Sequence, residues 1–532
     1  MEEYDYIVVG GGSAGCVVAG RLSENPDSQV CLLEAGNSGT NLLIKAPVGF
    51  AVGVPTGMNC WHYQTVPQPG LNGRRGFQPR GRALGGSSAI NAMVYARGHR
   101  SDFDHWAALG NPGWGYDDLL PLFKRSENNE NFTDPEFHGT SGPLGVGLIA
   151  NPSRMNKVFL DACQSVGIPL NPDWNGREHF GCWPSQATIK NGERCSAAAA
   201  FIHPNLKRPN LNVLTHAHCK RLLFEGKRCV GVEFWQGGEV KQVRARREVI
   251  VSGGAYGSPQ ILMTSGIGPV EHLREQGIPV IHGLPGVGDN LQDHITALLV
   301  YRSPGNRETY GISVHGMLRM LMGAHEWWRH RTGPLASCIA ESGACFRTSP
   351  EVEVSDIEME FVLGIVDDHA RKMHLGHGYS LHVTLSRPES RGTLRLADPD
   401  PRTMPLIDPR YFSAPYDMPT LIKGTQIALD IMSAKPFDPY RGEMLIPYQR
   451  NDPSQIEDTL RKHSDTEYHP CGTCKMGPEN DPMSVVDSRL RVRGVEGLRV
   501  ADASIMPRIT SNNTNAPAIM IGEKCAEMIR TE

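Results

Sequence analysis

Tyr6-Ile7-Val8-Val9-Gly10-Gly11-Gly12-Ser13-Ala14-Gly15 is the stretch whose reading decides the fold. The uncharged apolar run Tyr6–Val9 has the character of a strand buried on both faces. It leads straight into a G-x-G-x-x-G. The segment Ala14–Ser23 that follows has helix length, with small or apolar residues (Ala14, Val17, Val18, Leu22) able to pack on a sheet. A second apolar strand, Gln29–Leu33, ends in Glu34. In such a unit Gly10 permits the tight turn, Gly12 lets the backbone approach a pyrophosphate, and Gly15 lets helix and strand pack closely. The helix N-terminus presents unpaired N–H groups to the phosphates, and Glu34 accepts from ribose hydroxyls. Glycines alone are a weak signal. Strand, glycines, helix, strand and acid in that order predict a site for an ADP-containing dinucleotide.

At 532 residues the chain is long enough for several domains. Its 39% hydrophobic and 21% charged content is that of a globular protein. Fifty-three basic against 57 acidic residues leave no nucleic-acid footprint. No run of 18 apolar residues suggests a transmembrane helix, and the acidic start Met1-Glu2-Glu3-Tyr4-Asp5 lacks the pattern of a signal peptide. Thirteen scattered cysteines argue for a reducing compartment rather than a disulfide framework. The expected location is cytoplasmic.

Beyond Glu34, residues 35–79 are rich in Gly, Pro and Asn and read as a long excursion with little periodicity. A second glycine turn lies in Arg80-Gly81-Arg82-Ala83-Leu84-Gly85-Gly86-Ser87-Ser88-Ala89-Ile90-Asn91, where exposed N–H groups beside guanidiniums would suit a lid over a diphosphate. Helices are expected between Ser101 and Glu130, a buried strand at Arg247–Ser252 and a helix start around Ser258-Pro259. Gly286 to His294 is a tight turn with a polar cluster. From about Ile295 to Arg461 the glycine turns give way to alternating stretches such as Tyr379–Leu385, and a terminal helix is expected at Ala518–Ile529.

Three further stretches carry a resemblance. They are Gly81-Arg82-x-Leu84-Gly85-Gly86-Ser87-Ser88-x-Ile90-Asn91 with Tyr95 and Gly98, Gly254-Ala255-x-x-Ser258-Pro259-x-Ile261-Leu262-x-x-Ser265-Gly266-Ile267-Gly268, and Tyr468-His469-Pro470-x-Gly472-Thr473-Cys474 followed by Val500–Ser504 and Asn513–Ala516. Together with the N-terminal unit, these resemble the glucose-methanol-choline (GMC) oxidoreductase family over nearly the whole chain. The likeness is greatest to its bacterial alkane-pathway alcohol dehydrogenases and its choline dehydrogenases. The resemblance implies an α/β fold: a Rossmann-like FAD-binding domain with an inserted α+β substrate domain built on an antiparallel sheet. The division expected is 1–155 (FAD), 156–210 (substrate), 211–294 (FAD), 295–461 (substrate) and 462–532 (FAD, with the catalytic residues).

It implies FAD as cofactor, touched by Gly10, Gly12, Ser13, Ala14, Gly15, Glu34, Ala35, Trp61, Arg80, Gly85, Gly86, Ser87, Asn91, Ala92, Met93, Val94, Cys219, Gly254, Asp502, Ala503, Asn515 and Ala516. Some relatives attach FAD through a histidine just before the Asn. Here that position is Ile90, so non-covalent FAD is expected. Alcohol oxidation needs proton loss from O–H and hydride transfer to flavin N5; the protein orients the substrate and handles the proton. A base of near-neutral pKa is wanted, and His469 stands where the family has it. Asn513 matches the second active-site residue, a donor to the developing alkoxide. Glu467, two residues before His469, would share its face in an extended segment and raise its pKa, or else point to solvent. Glu341 is a candidate pocket carboxylate for a cationic substrate.

Two features mimic other chemistry. Cys471-Gly472-Thr473-Cys474 is a C-x-x-C without a second pair at zinc spacing, and no metal site is expected. Asp367-Asp368-His369 with His374 and His377 reads as a solvated loop near the substrate entrance. The stretch 317–331 has methionines, leucines and two tryptophans among basic residues. It suits either a helix burying its apolar side on the substrate domain or a peripheral contact with the inner membrane. The expected reaction oxidises a primary, aliphatic alcohol to the aldehyde, with a quinone as acceptor. The alternatives are choline dehydrogenase, an O2-using alcohol oxidase and, from another class, a lyase like the hydroxynitrile lyases. Oligomeric state is not legible.

Overall fold

The computed structural model describes residues 2–532. Two seven-stranded sheets organise the chain. In the first, the order is Leu211–Leu214, Val30–Leu33, Glu2–Val9, Glu239–Val251, Arg228–Gln236 and His218–Glu225, with Leu498–Val500 also pairing on Glu239–Val251. The four strands nearest the N-terminal glycine turn run parallel: Glu2–Val9 lies between Val30–Leu33 and Glu239–Val251 in parallel register. Parallel strands of this kind must be covered on both faces, which is why Ile7, Val8, Leu32 and Ile250 are all fully buried.

The helix Ser13–Leu22 follows the turn as expected. A Cβ at Gly15 would sit 1.9 Å from the Gly10 carbonyl oxygen, so only glycine lets the helix lie this close. The C-terminal helix packs beside it. It spans Asn515–Arg530, starting earlier than the sequence suggests, because Pro517 falls in the first turn, where a missing N–H has no intrahelical partner to lose. Buried Glu523 ties the two ends of the chain together by accepting from Arg21 (2.8 Å), Arg125 (2.9 Å) and the Ser126 hydroxyl (2.8 Å). The excursion after Glu34 has more order than its composition indicates, with the helix Phe50–Thr56 and the hairpin Cys60–Gln64/Phe77–Gly81.

The second sheet is antiparallel, in the order Asp465–Thr466, Ile295–Arg302, Gly376–Leu385, Ile357–Val362, Ala340–Phe346 and Gly181–Pro184. Its alternation is unusual. Glu360 stands opposite His382, and Glu358 opposite Thr384. With a side-chain period of two, Glu358, Glu360, Ser380, His382 and Thr384 share one face, and all of them are buried. The polar face of this sheet looks into the protein, toward the glycine turns.

Among the described residues no helix is long and apolar enough to cross a membrane. The stretch 317–331 belongs to the helix Val314–His330. The expectation that this helix buries its apolar side is met only in part: Gly316, Gly323 and Trp327 are buried and Met320 packs on the core, while Met317, Leu318, Leu321 and Met322 are exposed.

Candidate functional site

One continuous cavity runs from Glu34 and the glycine turn to His469 and Asn513. Three helices begin at it: Ser13–Leu22, Gly254–Thr264 and Asn515–Arg530. None has a side-chain cap or an acidic residue in its first turn. Their partial positive ends meet the cavity where a diphosphate would lie, with the Gly254 amide already donating to Asp502. A Cβ on Gly12 would meet nothing closer than the Ser252 carbonyl oxygen at 3.8 Å, and one on Gly254 nothing within 4 Å, so the floor of the cradle is open. Glu34 accepts from the amides of Gly11 (3.0 Å) and Gly36 (2.7 Å), and burial pushes its carboxyl up to about 7. These residues fit a flavin dinucleotide.

Ser13, Ala14, Ala35, Trp61, Arg80, Gly86, Ser87, Asn91, Ala92, Met93, Val94, Cys219, Asp502, Ala503 and Asn515 also line the cavity. Gly15, Gly85 and Ala516 do not, and they act from behind the wall. Gly15 sets the helix approach, the Gly85 amide donates to the Gly11 carbonyl at 2.7 Å, and Ala516 is packed in the C-terminal helix. Asp502 fixes a helix entry, accepting from the Gly254 amide (2.9 Å) and the Ser258 hydroxyl.

At the other end, the partners of His469 settle its tautomer. His294 Nε2 lies 3.0 Å from the Ser386 carbonyl oxygen, which can only accept, so Nε2 carries the proton. Burial holds His294 down to about 4, and its Nδ1 therefore keeps a lone pair. That lone pair faces His469 Nδ1 at 2.9 Å. His469 must donate from Nδ1, leaving Nε2 as a proton acceptor. Nε2 points at Asn513 Nδ2, 3.3 Å away, and Asn513 Nδ2 also donates to Glu360 Oε1 at 3.0 Å. Asn513 Oδ1 is buried and unpartnered among the described residues. Burial first, then His294 and Arg80, hold the His469 ring well below its ordinary pKa, so it is neutral at neutral pH. An acceptor and an amide donor thus face one point, where a hydroxyl could give its proton to one and receive a hydrogen bond from the other.

Two expectations need correction. Glu467 does not act on His469. Tyr468 between them has φ +69°, which breaks the extended pattern that would have put both on one face. The Glu467 carboxylate instead accepts from His382 Nδ1, with both oxygens at 3.1 Å. Burial opposes a charge on His382, yet the Glu467 carboxylate outweighs it and keeps the ring above its ordinary pKa. Glu341 does not reach the cavity: the Ser153 amide and the Ser337 hydroxyl, each at 2.6 Å, occupy it.

The Asp367–His377 segment is partly misread as solvated. His369 is buried against the cavity with Nδ1 2.6 Å from the Tyr468 hydroxyl. Cys471 and Cys474 are buried free thiols. Among the described residues no group of three His, Cys, Asp or Glu converges as a metal site.

Sequence reading missed Glu360 and His382, which line the cavity. The signal was present in the alternations Glu358-Met359-Glu360-Phe361 and Leu381-His382-Val383-Thr384, but a polar face is ordinarily read as facing water. Asp293 and His294 were visible only as a polar cluster.

Comparison with known proteins places this geometry. A family model described as GMC oxidoreductase, N-terminal part, matches residues 4–296, and its C-terminal counterpart matches 388–522. The chain is 43% identical to an alcohol dehydrogenase [acceptor] of Pseudomonas putida, over 99% of this chain and 95% of that protein. It is 41% identical to an oxygen-dependent choline dehydrogenase of Brucella suis, again over 99% and 95%. Among solved structures, a pyridoxine 4-oxidase from Mesorbium loti superposes with a TM-score of 0.88 at 32% identity, covering 99% of each chain.

Two measurements test the site. His294→Phe, which removes the acceptor for His469 Nδ1–H, should lower kcat by about 100-fold with KM little changed, within the ~10²–10⁴ span of general-base catalysis; His294→Asn, which restores an acceptor, should recover part of it. Burial, with the Glu467 charge next, pushes Glu360 up to about 7. Its ionisation therefore penalises folding increasingly as pH rises from about 4.5 to about 7 and fully above that. Relative to wild type, Glu360→Gln should gain melting temperature over that window and none below it; a pH-independent difference would refute the assignment.

With both family domains matched in order and relatives above 40% identity along its length, the chain belongs to the GMC oxidoreductase family, flavoproteins with an FAD-binding fold.

Proposed function

We propose that the protein is an FAD-dependent dehydrogenase of primary alcohols that passes electrons to a quinone. The observation that carries this reading is the facing pair His469 Nε2 and Asn513 Nδ2, 3.3 Å apart. A substrate hydroxyl between them would lose its proton to Nε2 while Asn513 stabilises the alkoxide. FAD, when bound, supplies the acceptor for the hydride leaving the carbinol carbon. His294 keeps Nε2 unprotonated before each turnover, and the buried setting excludes competing water. Phe50, Val54, Pro55, Ile339, Val362 and Val366 give the cavity apolar walls suited to an aliphatic chain. All thirteen cysteines are buried free thiols, which suits the cytoplasm.

A second reading, choline oxidation, is favoured by one observation. The Glu360 carboxyl sits beside Asn513 in the cavity wall, so a cationic head group would find there an acidic partner whose ionisation its own charge would favour. Mixing the purified protein anaerobically with 1-octanol should bleach the flavin absorbance, and choline should not. Bleaching by choline alone transfers the assignment to the second reading; bleaching by neither sinks both. Rapid reoxidation on admitting air would replace the quinone with O2.

Ile90 is buried at the cavity wall and offers no nucleophile for a covalent link. We propose that FAD is held non-covalently. Acid precipitation should leave the yellow colour in the supernatant, and a coloured pellet would disprove it.

A further inference from the structure

The helix Val314–His330 seats on the body of the protein through two glycines, Met320 and a single buried tryptophan. Gly316, Gly323 and Trp327 are buried. A Cβ on Gly323 would come within 2.4 Å of Pro334 Cγ, so the close seating requires glycine. Most of its other large apolar side chains face outward: Val314, Met317, Leu318, Leu321, Met322 and Trp328 are between 52% and 72% exposed. They recur at the three- and four-residue spacing of one helix face. This inverts the usual arrangement for a helix on a globular protein.

The surface extends beyond the helix. Ile312 pairs with Leu375 through a β-bridge, and Leu375 and Met373 are each 76% exposed. The chain that carries them comes directly from the cavity, where Val366, His369 and Ala370 form part of the wall. Contiguous exposed apolar surface of this kind marks an interaction site.

Charge decides the occupant. The helix carries Arg319 and Arg329 against a single Glu326, with His315, His325 and His330 on exposed positions, while the C-cap Arg331 turns inward over Trp327 and pairs with Glu193; the whole chain has net charge −4. A second copy docked on the same patch would oppose arginine to arginine. Anionic headgroups complement them, the exposed Trp328 suits the level of the headgroups, and the apolar stripe suits the acyl boundary.

We propose that the outward face of Val314–His330, with Ile312, Met373 and Leu375, is a surface that seats the protein on an anionic lipid bilayer beside the cavity. The assignment stands apart from which alcohol is oxidised, since its test reads binding and not turnover.

The test uses the purified holoprotein and vesicles of phosphatidylglycerol with phosphatidylethanolamine, compared with pure phosphatidylcholine. Wild type should sediment with the anionic vesicles at low salt, with bound protein falling at least fivefold in 0.5 M salt or with phosphatidylcholine, in keeping with a Debye length of only about 3–10 Å at 0.1–1 M. Leu321→Asp/Met322→Asp should bind at least tenfold less while keeping its flavin content. If that variant fails to fold, quenching of wild-type tryptophan emission by brominated lipid, lost in Trp328→Phe, carries the same decision. Wild type left in the supernatant with anionic vesicles at low salt would overturn the proposal. So would a wild-type dimer that ignores vesicles and is split by Leu321→Asp/Met322→Asp, because the surface would then belong to a second copy.

Discussion

The geometry of the reacting end depends on one dipeptide, Asp293-His294, at the entry to the strand Ile295–Arg302. The Asp293 carboxylate is buried and accepts from the His469 backbone amide at 2.9 Å and the Thr466 hydroxyl at 2.6 Å, with the Tyr411 hydroxyl as a third donor. Burial raises its carboxyl to about 6, and three donors offset that desolvation. The next residue, His294, holds the His469 ring from behind. One side chain therefore fixes where the His469 ring stands, and its neighbour fixes which of its nitrogens is free. The left-handed Tyr468 completes the arrangement by turning the chain between Glu467 and His469, so that each serves a different partner.

What was legible in the sequence was what is local. The unit from Tyr6 to Glu34 could be read because its turn, helix start and acid are fixed by nearest neighbours along the chain. His469 and Asn513 were found through the family motifs that contain them, and they do meet at the cavity. Their supporting shell was not legible. Glu360 reaches Asn513 across 153 residues of sequence, and nothing in the alternation of Ile357–Val362 tells which face of the sheet turns inward. Glu467 misled because an i,i+2 rule holds only for extended backbone, and one positive φ defeats it. Glu341 misled because a carboxylate in an apolar strand has to find donors, and here a backbone amide and a serine beside it already suffice. The helix Val314–His330 shows the same limit: its composition was visible, but its rotation about its own axis was not.

The inward polar face of the second sheet has an energetic side. Glu358 and Glu360 are two residues apart on one buried face, and burial pushes Glu358 well above the carboxylate range, with Glu360 adding to the effect. Groups so placed weaken the fold relative to apolar ones of similar volume. Their place beside Asn513 and His382 agrees with the active site proposed there, since such sites hold groups a stability criterion alone would reject.

The clasp between the two chain termini has a consequence for biosynthesis. The helix Ser13–Leu22 is made long before its partner Asn515–Arg530 and the Glu523 that ties them. The strand Glu2–Val9 gains its neighbour Glu239–Val251 midway through synthesis, and that strand in turn waits for Leu498–Val500. The nucleotide cradle therefore cannot close around Ser13 until Asn515 and its helix have been made, and the first helix lacks that cover throughout the interval.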